Sequence, residues 1–468
     1  MSTRPPKLLL FVENTTSFQH VVRSRILEEG SRTGKFDFCV VLPPGLSPSE
    51  ADLARLHGVK FLPLDIHHAP TSDFLGRVLK KPIHILSRDL LTVMSPDATL
   101  AQDRAFGLKK RGSSIAIRLA YARLLNKFGV SWRHLSQFAQ HFGRYPEIGK
   151  LLDDYQPDLV VYFNILMGQL DCLREVKRRN IPLVLDLPNW DQASSKGPLT
   201  VLPDHAFVWS KQVGADFCRI HDFPEEQTTP IGVAQFDAYA QKDDVLSRDE
   251  FCRIHGIDPS KKIVLYAYGQ PPGIKACDPF VRDILECIAP DKIGTRCHLI
   301  FRASPRVPFP ETLRELGGVT VQHPLGHETA GGLGWMPSPE EDRMRKSTLA
   351  HSDVIINIFS TMCLDGLAMD RPVINLGYVC GDPENAPNRM ERFFTYTHVI
   401  PVMESNGTWI VKTKKELQTA IQEALSEPTA KLNDGRTLLH QICGPSDGKT
   451  FQRWLEAMSC VVEKHCQL

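Results

Sequence analysis

The chain has 468 residues, 42% of them hydrophobic, with 55 Lys and Arg set against 54 Asp and Glu for a formal net charge of +1. That is material for two or three domains with large cores, and the balanced charge excludes a whole-molecule field of the kind that gathers nucleic acid. The longest apolar runs, such as residues 8–12, fall far short of the roughly 20 residues a helical bilayer span needs, and MSTRPPKLLLFVEN has too short an apolar stretch for a signal peptide. The expectation is a soluble, cytosolic chain.

In chain order, apolar runs at 8–12, 36–42, 59–64, 159–163, 182–187 and 206–209 read as strands, with amphipathic helices at 18–29, 49–57 and 169–179. The second half repeats the pattern with strands at 263–268, 298–302, 319–321, 354–357 and 372–376, helices between them, and closing helices at 415–425 and 451–463. This alternation predicts an α/β protein with parallel, doubly wound sheets in two facing Rossmann-like domains. The expected boundaries are an N-terminal domain over 1–240, a polar connection over 241–262, a C-terminal domain over 263–450, and a helix over 451–468 able to cross back to the N-terminal domain.

A basic helical insertion is expected at about 75–146. From 104 to 146 there is no Asp or Glu, while Arg104, Lys109, Lys110, Arg111, Arg118, Arg123, Lys127, Arg133 and Arg144 interleave with apolar residues. Such a stretch suits an anionic membrane surface, and equally a solvated face whose acidic partners come from elsewhere. Twelve cysteines lack any Cys-x-x-Cys pair, so reduced, mostly buried thiols and no metal site are expected. Gly444 to Thr450 resembles a P-loop but is one residue short and lacks a preceding strand.

In open α/β sheets ligands bind beyond the carboxyl ends of the strands, which lets strand ends nominate a site. Glu13 and His20 occupy the first βα loop; a His there is useful near neutral pH, though it is more often structural. The loop Asp186 to Gly197 gathers Asn189, Trp190, Asp191, Ser194, Ser195 and Lys196. Asp191 could take a proton from an acceptor hydroxyl or merely cap the next turn; Ser194, Ser195 and Lys196 could hold a sugar or phosphate. Arg302 and Arg306 flank a Ser-Pro turn and could meet diphosphate oxygens or form ion pairs. Around Ser360 the sequence reads strand, tight turn, helix, strand. Ser360 or Thr361 stands where an N-cap hydroxyl belongs, with Asp365 about one turn deeper, on the side that could reach a ribose diol.

The runs N-W-D-x-x-S-S-K-G-P, V-W-S-K-Q and P-I-G-V-A-Q-F-D, with Ser352 to Tyr378, the segment around His398 and Cys443 to Lys449, resemble bacterial GT-B-fold glycosyltransferase-like proteins of surface polysaccharide synthesis. The chain is also distantly similar to CDP-glycerol glycerophosphotransferases. The likeness runs from about residue 150 onward. It implies a nucleoside diphosphate sugar held mainly by the C-terminal domain, with no separate cofactor. It places Asp365 at the acidic position that binds the donor ribose, where many relatives have Glu. Tyr268, Gly269 and Gln270 would approach the phosphates, where Gly permits close backbone approach. Arg302, Arg306, His398 and helix amides would oppose charge on the leaving group. For the base, Asp191 ranks before His20, with Glu13 a third candidate. The implied function is glycosyl transfer to a surface-glycan or lipid-linked acceptor, by a cytosolic enzyme or one peripheral at the inner membrane face. The alternatives are a CDP-alcohol polyol-phosphate transferase or nucleotide-sugar epimerase on the same fold, and a non-catalytic scaffold of a polysaccharide assembly complex.

Overall fold

Leu8, Leu9, Leu10 and Phe11 are at most 1% exposed, as a strand covered on both faces must be, and they form β1 (Lys7–Phe11). In the computed structural model, residues 4–65, 124, 127–129, 132–139, 141–165, 171–195, 199, 201–241, 244–269, 278–305, 313, 316–378, 394 and 396–466 are described. β1 is joined by β2 (Asp37–Leu42), β3 (Lys60–Pro63), β4 (Leu159–Tyr162), β5 (Leu183–Asp186), β6 (His205–Val208) and β7 (Thr228–Pro230). All pair in parallel, in the order β3-β2-β1-β4-β5-β6-β7. The chain winds outward from β1 in one direction and from β4 in the other, so the order reverses between these two strands.

The second half builds its own sheet from β8 (Lys262–Ala267), β9 (Cys297–Arg302), β10 (Val319–Gln322), β13 (Val354–Asn357), β14 (Val373–Leu376) and β15 (Trp409–Val411). These too are parallel, in the order β10-β9-β8-β13-β14-β15, with the reversal between β8 and β13. A small antiparallel hairpin joins β11 (Gly326–Glu328) to β12 (Trp335–Pro337). Two units follow from internal contacts, Met1–Asp237 with Thr329–Gly334 and Ile442–Leu468, and Ala238–Glu328 with Trp335–Gln441. Each carries one Rossmann-like sheet, the GT-B type of α/β architecture, and the C-terminal helix Thr450–Cys466 belongs with the first.

Local chemistry departs from the expected elements in a few places. The single helix expected over 18–29 is two, Thr15–Val21 and Arg25–Arg32. Ser24 breaks it by accepting from the Ile26 amide as an N-cap, while Asn14 caps the first helix through the Ser17 amide. Within 241–262 lies a helix, Arg248–His255, started by Ser247 and ended by Gly256 in the left-handed region at φ 64°. β7 and β15 escape the sequence reading because each is a three-residue edge strand. In the basic stretch 104–146, residues 104–123 lie outside the described residues. No helix among the described residues is long and apolar enough to cross a membrane.

Candidate functional site

In the second unit the loops after β8 and β13 meet at the sheet's reversal. A Cβ placed on Gly269 would lie 3.9 Å from Ser360 Cβ, with nothing closer among the described residues beyond its chain neighbours. Among the described residues, then, neither a close contact nor a left-handed φ demands glycine at 269, which lies at the point where α/β sheets take ligands. The β13 turn is built by Asn357, which is fully buried and accepts from the Ser360 amide through Oδ1 at 3.0 Å. Phe359 is forced to φ 45°, a strained setting for an aromatic residue. Of the two hydroxyls expected to cap the following helix, Met362–Ala368, Ser360 does so, accepting from the Met362 amide at 3.3 Å. Thr361 has helical backbone angles and no side-chain cap bond.

Asp365 is 9% exposed, with Oδ1 accepting from Tyr239 Oη at 2.5 Å. Burial raises its pKa, opposed by Arg345, the Tyr239 hydrogen bond and Arg302. Arg302, at the end of β9, is 7% exposed; it donates to Gln322 Oε1 at 2.7 Å and forms a buried ion pair with Glu341. Glu341 also accepts from the Leu325 amide at 2.7 Å, and Gln322 donates to Thr348 Oγ1 at 2.8 Å. The Arg302 guanidinium thus has the ion-pair partner weighed from sequence, and contact with a diphosphate would require opening that pair. His398 is half-buried with its ring 5.8 Å from that of Tyr396. Gln270 and Arg306 lie outside the described residues.

In the first unit the reversal lies between β1 and β4, and Glu13 follows β1. It is 2% exposed and accepts from Ser17 Oγ at 3.3 Å. Burial raises its carboxyl pKa to about 8, against the lowering effect of hydrogen bonds from its own backbone, Ser17 and the Phe163 backbone. Burial thus favours the protonated form of Glu13, one of the three residues considered for the base. His20 is fully buried and meets Asp186 at the end of β5, Nε2 to Oδ2, at 3.0 Å. Trp454 Nε1 of the C-terminal helix donates to the same oxygen at 2.7 Å.

The loop after β5 gathers Asn189, Trp190, Asp191, Ser194 and Ser195; Lys196 lies outside the described residues. Asn189 Oδ1 accepts from the Trp190 amide at 2.9 Å. Asp191 accepts from Ser195 Oγ at 2.8 Å, and its carbonyl accepts from the Ser195 amide at 2.9 Å. Both bonds tie Asp191 to the last residue of the short helix Gln192–Ser195. Trp190 is 5% and Ser194 2% exposed.

The sequence reading left Trp454, Tyr239 and Glu341 out of its candidates and did not pair Asp186 with His20. These partners lie 268 residues from Asp186, 126 from Asp365, 39 from Arg302 and 166 from His20. No local periodicity signals them.

No protein-family model and no curated protein sequence matches the chain. Solved structures do. The UDP-GlcNAc 2-epimerase of Neisseria meningitidis bound to UDP-GlcNAc superposes with a TM-score of 0.54 at 11% identity, over 97% of this chain and 100% of that one. The UDP-GlcNAc 2-epimerase of Methanocaldococcus jannaschii gives 0.53 at 13% identity, over 97% and 99%. The glycotransferase of kitacinnamycin gives 0.50 at 13% identity, over 98% and 100%. These likenesses establish the fold shared with them. None of the three is a CDP-glycerol glycerophosphotransferase.

Proposed function

We propose that this protein is an enzyme acting on a nucleoside diphosphate sugar, with the loops after β8 and β13 receiving the nucleotide's diphosphate. The observation that carries the reading is the approach of Gly269 and Ser360 at the reversal of the second sheet, where a Cβ at 269 would lie 3.9 Å from Ser360 Cβ and nearer to no other described residue beyond its chain neighbours. Asp365, with Tyr239 fixing its carboxyl, is the candidate for the ribose. Residues 263–450 are accordingly the nucleotide domain and 1–240 the domain handling the sugar or acceptor.

Of the reactions such a substrate allows, epimerisation of the sugar has the better support. Two of the three structures named above are UDP-GlcNAc 2-epimerases. Glycosyl transfer to a surface-glycan or lipid-linked acceptor is the second reading, favoured by the likeness to a glycotransferase and by the sequence resemblance. The basic stretch 104–146 would then hold the enzyme at an anionic inner membrane face.

Incubation with UDP-GlcNAc and a panel of UDP-, GDP- and CDP-linked compounds tests the reading. A ligand that binds only the native state raises stability by about 2.7 kcal/mol at a hundredfold excess over Kd. Epimerisation returns a sugar nucleotide with one centre inverted and no free nucleotide; glycosyl transfer releases nucleoside diphosphate; polyol-phosphate transfer from a CDP-alcohol releases nucleoside monophosphate. No stabilisation by any member of the panel contradicts the reading. A scaffold would instead tolerate loss of Asp191 and Asp365 and fail on charge reversal at Lys109, Lys110 and Arg111.

A further inference from the structure

Arg302, Gln322 and His255 form a chain of hydrogen bonds within the second unit, and its proton positions follow from which groups can only donate. A guanidinium has no acceptor atom, so the Gln322 oxygen that Arg302 Nη1 reaches at 2.7 Å must accept. That turns Gln322 Nε2 toward Thr348 Oγ1 at 2.8 Å and His255 Nε2 at 3.2 Å. Thr348 donates its own hydroxyl proton to the Met344 carbonyl at 2.7 Å and therefore accepts from Gln322. The second amide hydrogen meets His255 Nε2, which must hold a lone pair, so the neutral ring carries its proton on Nδ1. Met344 Sδ stands 3.3 Å from the same nitrogen, but a thioether is too weak an acceptor to reverse this order.

A proton on His255 Nε2 would face the Gln322 N–H. The chain accommodates it when the Gln322 amide turns over, which Thr348 permits because its Oγ1 also lies 3.2 Å from Oε1. The turned amide points Nε2 at Arg302, donor against donor, and the guanidinium loses the acceptor that steadies it beside Glu341. His255 ends the helix Arg248–His255, where the helix dipole favours a cation. Burial, and then the Arg302 charge, nonetheless hold its pKa below the usual value. His298, also on β9, is coupled to it electrostatically. Phe251 meets the ring edge-on with centroids 4.6 Å apart, and the contacts from β10 and from the helix Pro339–His351 are the uncharged Gln322, Thr320 and Met344.

We propose that Gln322 couples a proton on His255 to the Arg302–Glu341 pair. Protonation of Nε2 turns the amide and frees Arg302 from it; conversely, an anion that draws Arg302 away lets Nε2 take a proton from solvent. With the diphosphate of a sugar nucleotide as the anion, which rests on the reading above, binding takes up a proton and affinity rises as pH falls toward about 6.

Nitrogen NMR of the full chain labelled with 15N-histidine, His255→Gln assigning the resonances, tests the coupling without ligand. The wild type is expected to show a lone pair on Nε2 and a proton on Nδ1. Arg302→Met combined with Glu341→Leu removes one charge of each sign, so it frees the amide without changing the net charge nearby. This double variant should raise the His255 titration midpoint by about one pH unit, and should have no such effect when Gln322→Met is already present. A proton on Nε2 in the neutral wild type, or a midpoint that the double variant leaves unmoved, overturns the proposal. Calorimetric titration of UDP-GlcNAc at about pH 6, in buffers of different ionisation enthalpy, tests the ligand's part, because a diphosphate diester has no group titrating there. Proton uptake is expected in the wild type and not in His255→Gln; binding with equal uptake in both overturns the proposal. The expected NMR result in a protein that binds no sugar nucleotide upholds the coupling and overturns the functional reading.

Discussion

Beside β9 the buried Arg302–Glu341 pair is matched: Arg302 has Glu341 and Gln322, and Glu341 has Arg302 and the Leu325 amide. Beside β1 and β5 the burial is as deep, yet Glu13, His20 and Asp186 each leave one polar atom without a partner. The matched cluster explains itself as support for the second sheet's strand ends. The orphaned set does not, because satisfied burial is the rule and exceptions call for a reason. The contrast separates groups that hold the fold from groups held by it.

The largest effect should come from breaking the matched cluster. Arg302→Met leaves Glu341 buried and uncompensated, and should cost about 3–5 kcal/mol in urea unfolding. Adding Glu341→Leu should recover most of that, and a single variant as stable as wild type would refute the matching. Glu13 sharpens the other side of the contrast. Its carboxyl ionises near 4.5 when unfolded and near 8 when folded. Its contribution is thus fully present below the unfolded value and lost as pH rises through 8. Across that window stability should fall by up to about 1.4 kcal/mol per pH unit, and Glu13→Gln should flatten the decline. Equal slopes in both proteins would show that Glu13 is not buried as described.

A smaller effect concerns the helix that carries Asp365. A Cβ at Gly366 would lie 2.8 Å from Val373 Cγ2 and 3.0 Å from Ile355 Cδ1, so Gly366→Ala should cost about 1–3 kcal/mol by overpacking the helix on its sheet. Smallest is Tyr239→Phe, which takes the donor from Asp365 at a cost of about 1 kcal/mol. It should weaken nucleotide binding by more than its effect on melting suggests. Equal affinity in this variant would remove Asp365 from the binding site.

Much of the fold was legible because the chain writes its central strands as apolar runs. Leu159 to Tyr162, Leu183 to Leu185 and Val354 to Ile356 are covered on both faces and read as such. The edges were not, since Thr228–Pro230 is polar and short. The split at Ser24 was hidden because a capping serine and a helical serine look alike until the backbone is seen. The site was legible as a set of strand ends, and Gly269 and Ser360 do come together. The partners that fix Asp365, Arg302 and His20 arrive from distant segments, which only the folded topology brings into contact.

The central claim is that a nucleoside diphosphate sugar lies over Gly269. Calorimetric titration of UDP-GlcNAc into wild type and Gly269→Val tests it most directly, because a Cβ at 269 would make only an ordinary contact with Ser360 among the described residues. The account predicts saturable binding by the wild type and none by a folded Gly269→Val. Equal affinity in both, or no binding of UDP-, GDP- or CDP-linked sugars by the wild type, would contradict it.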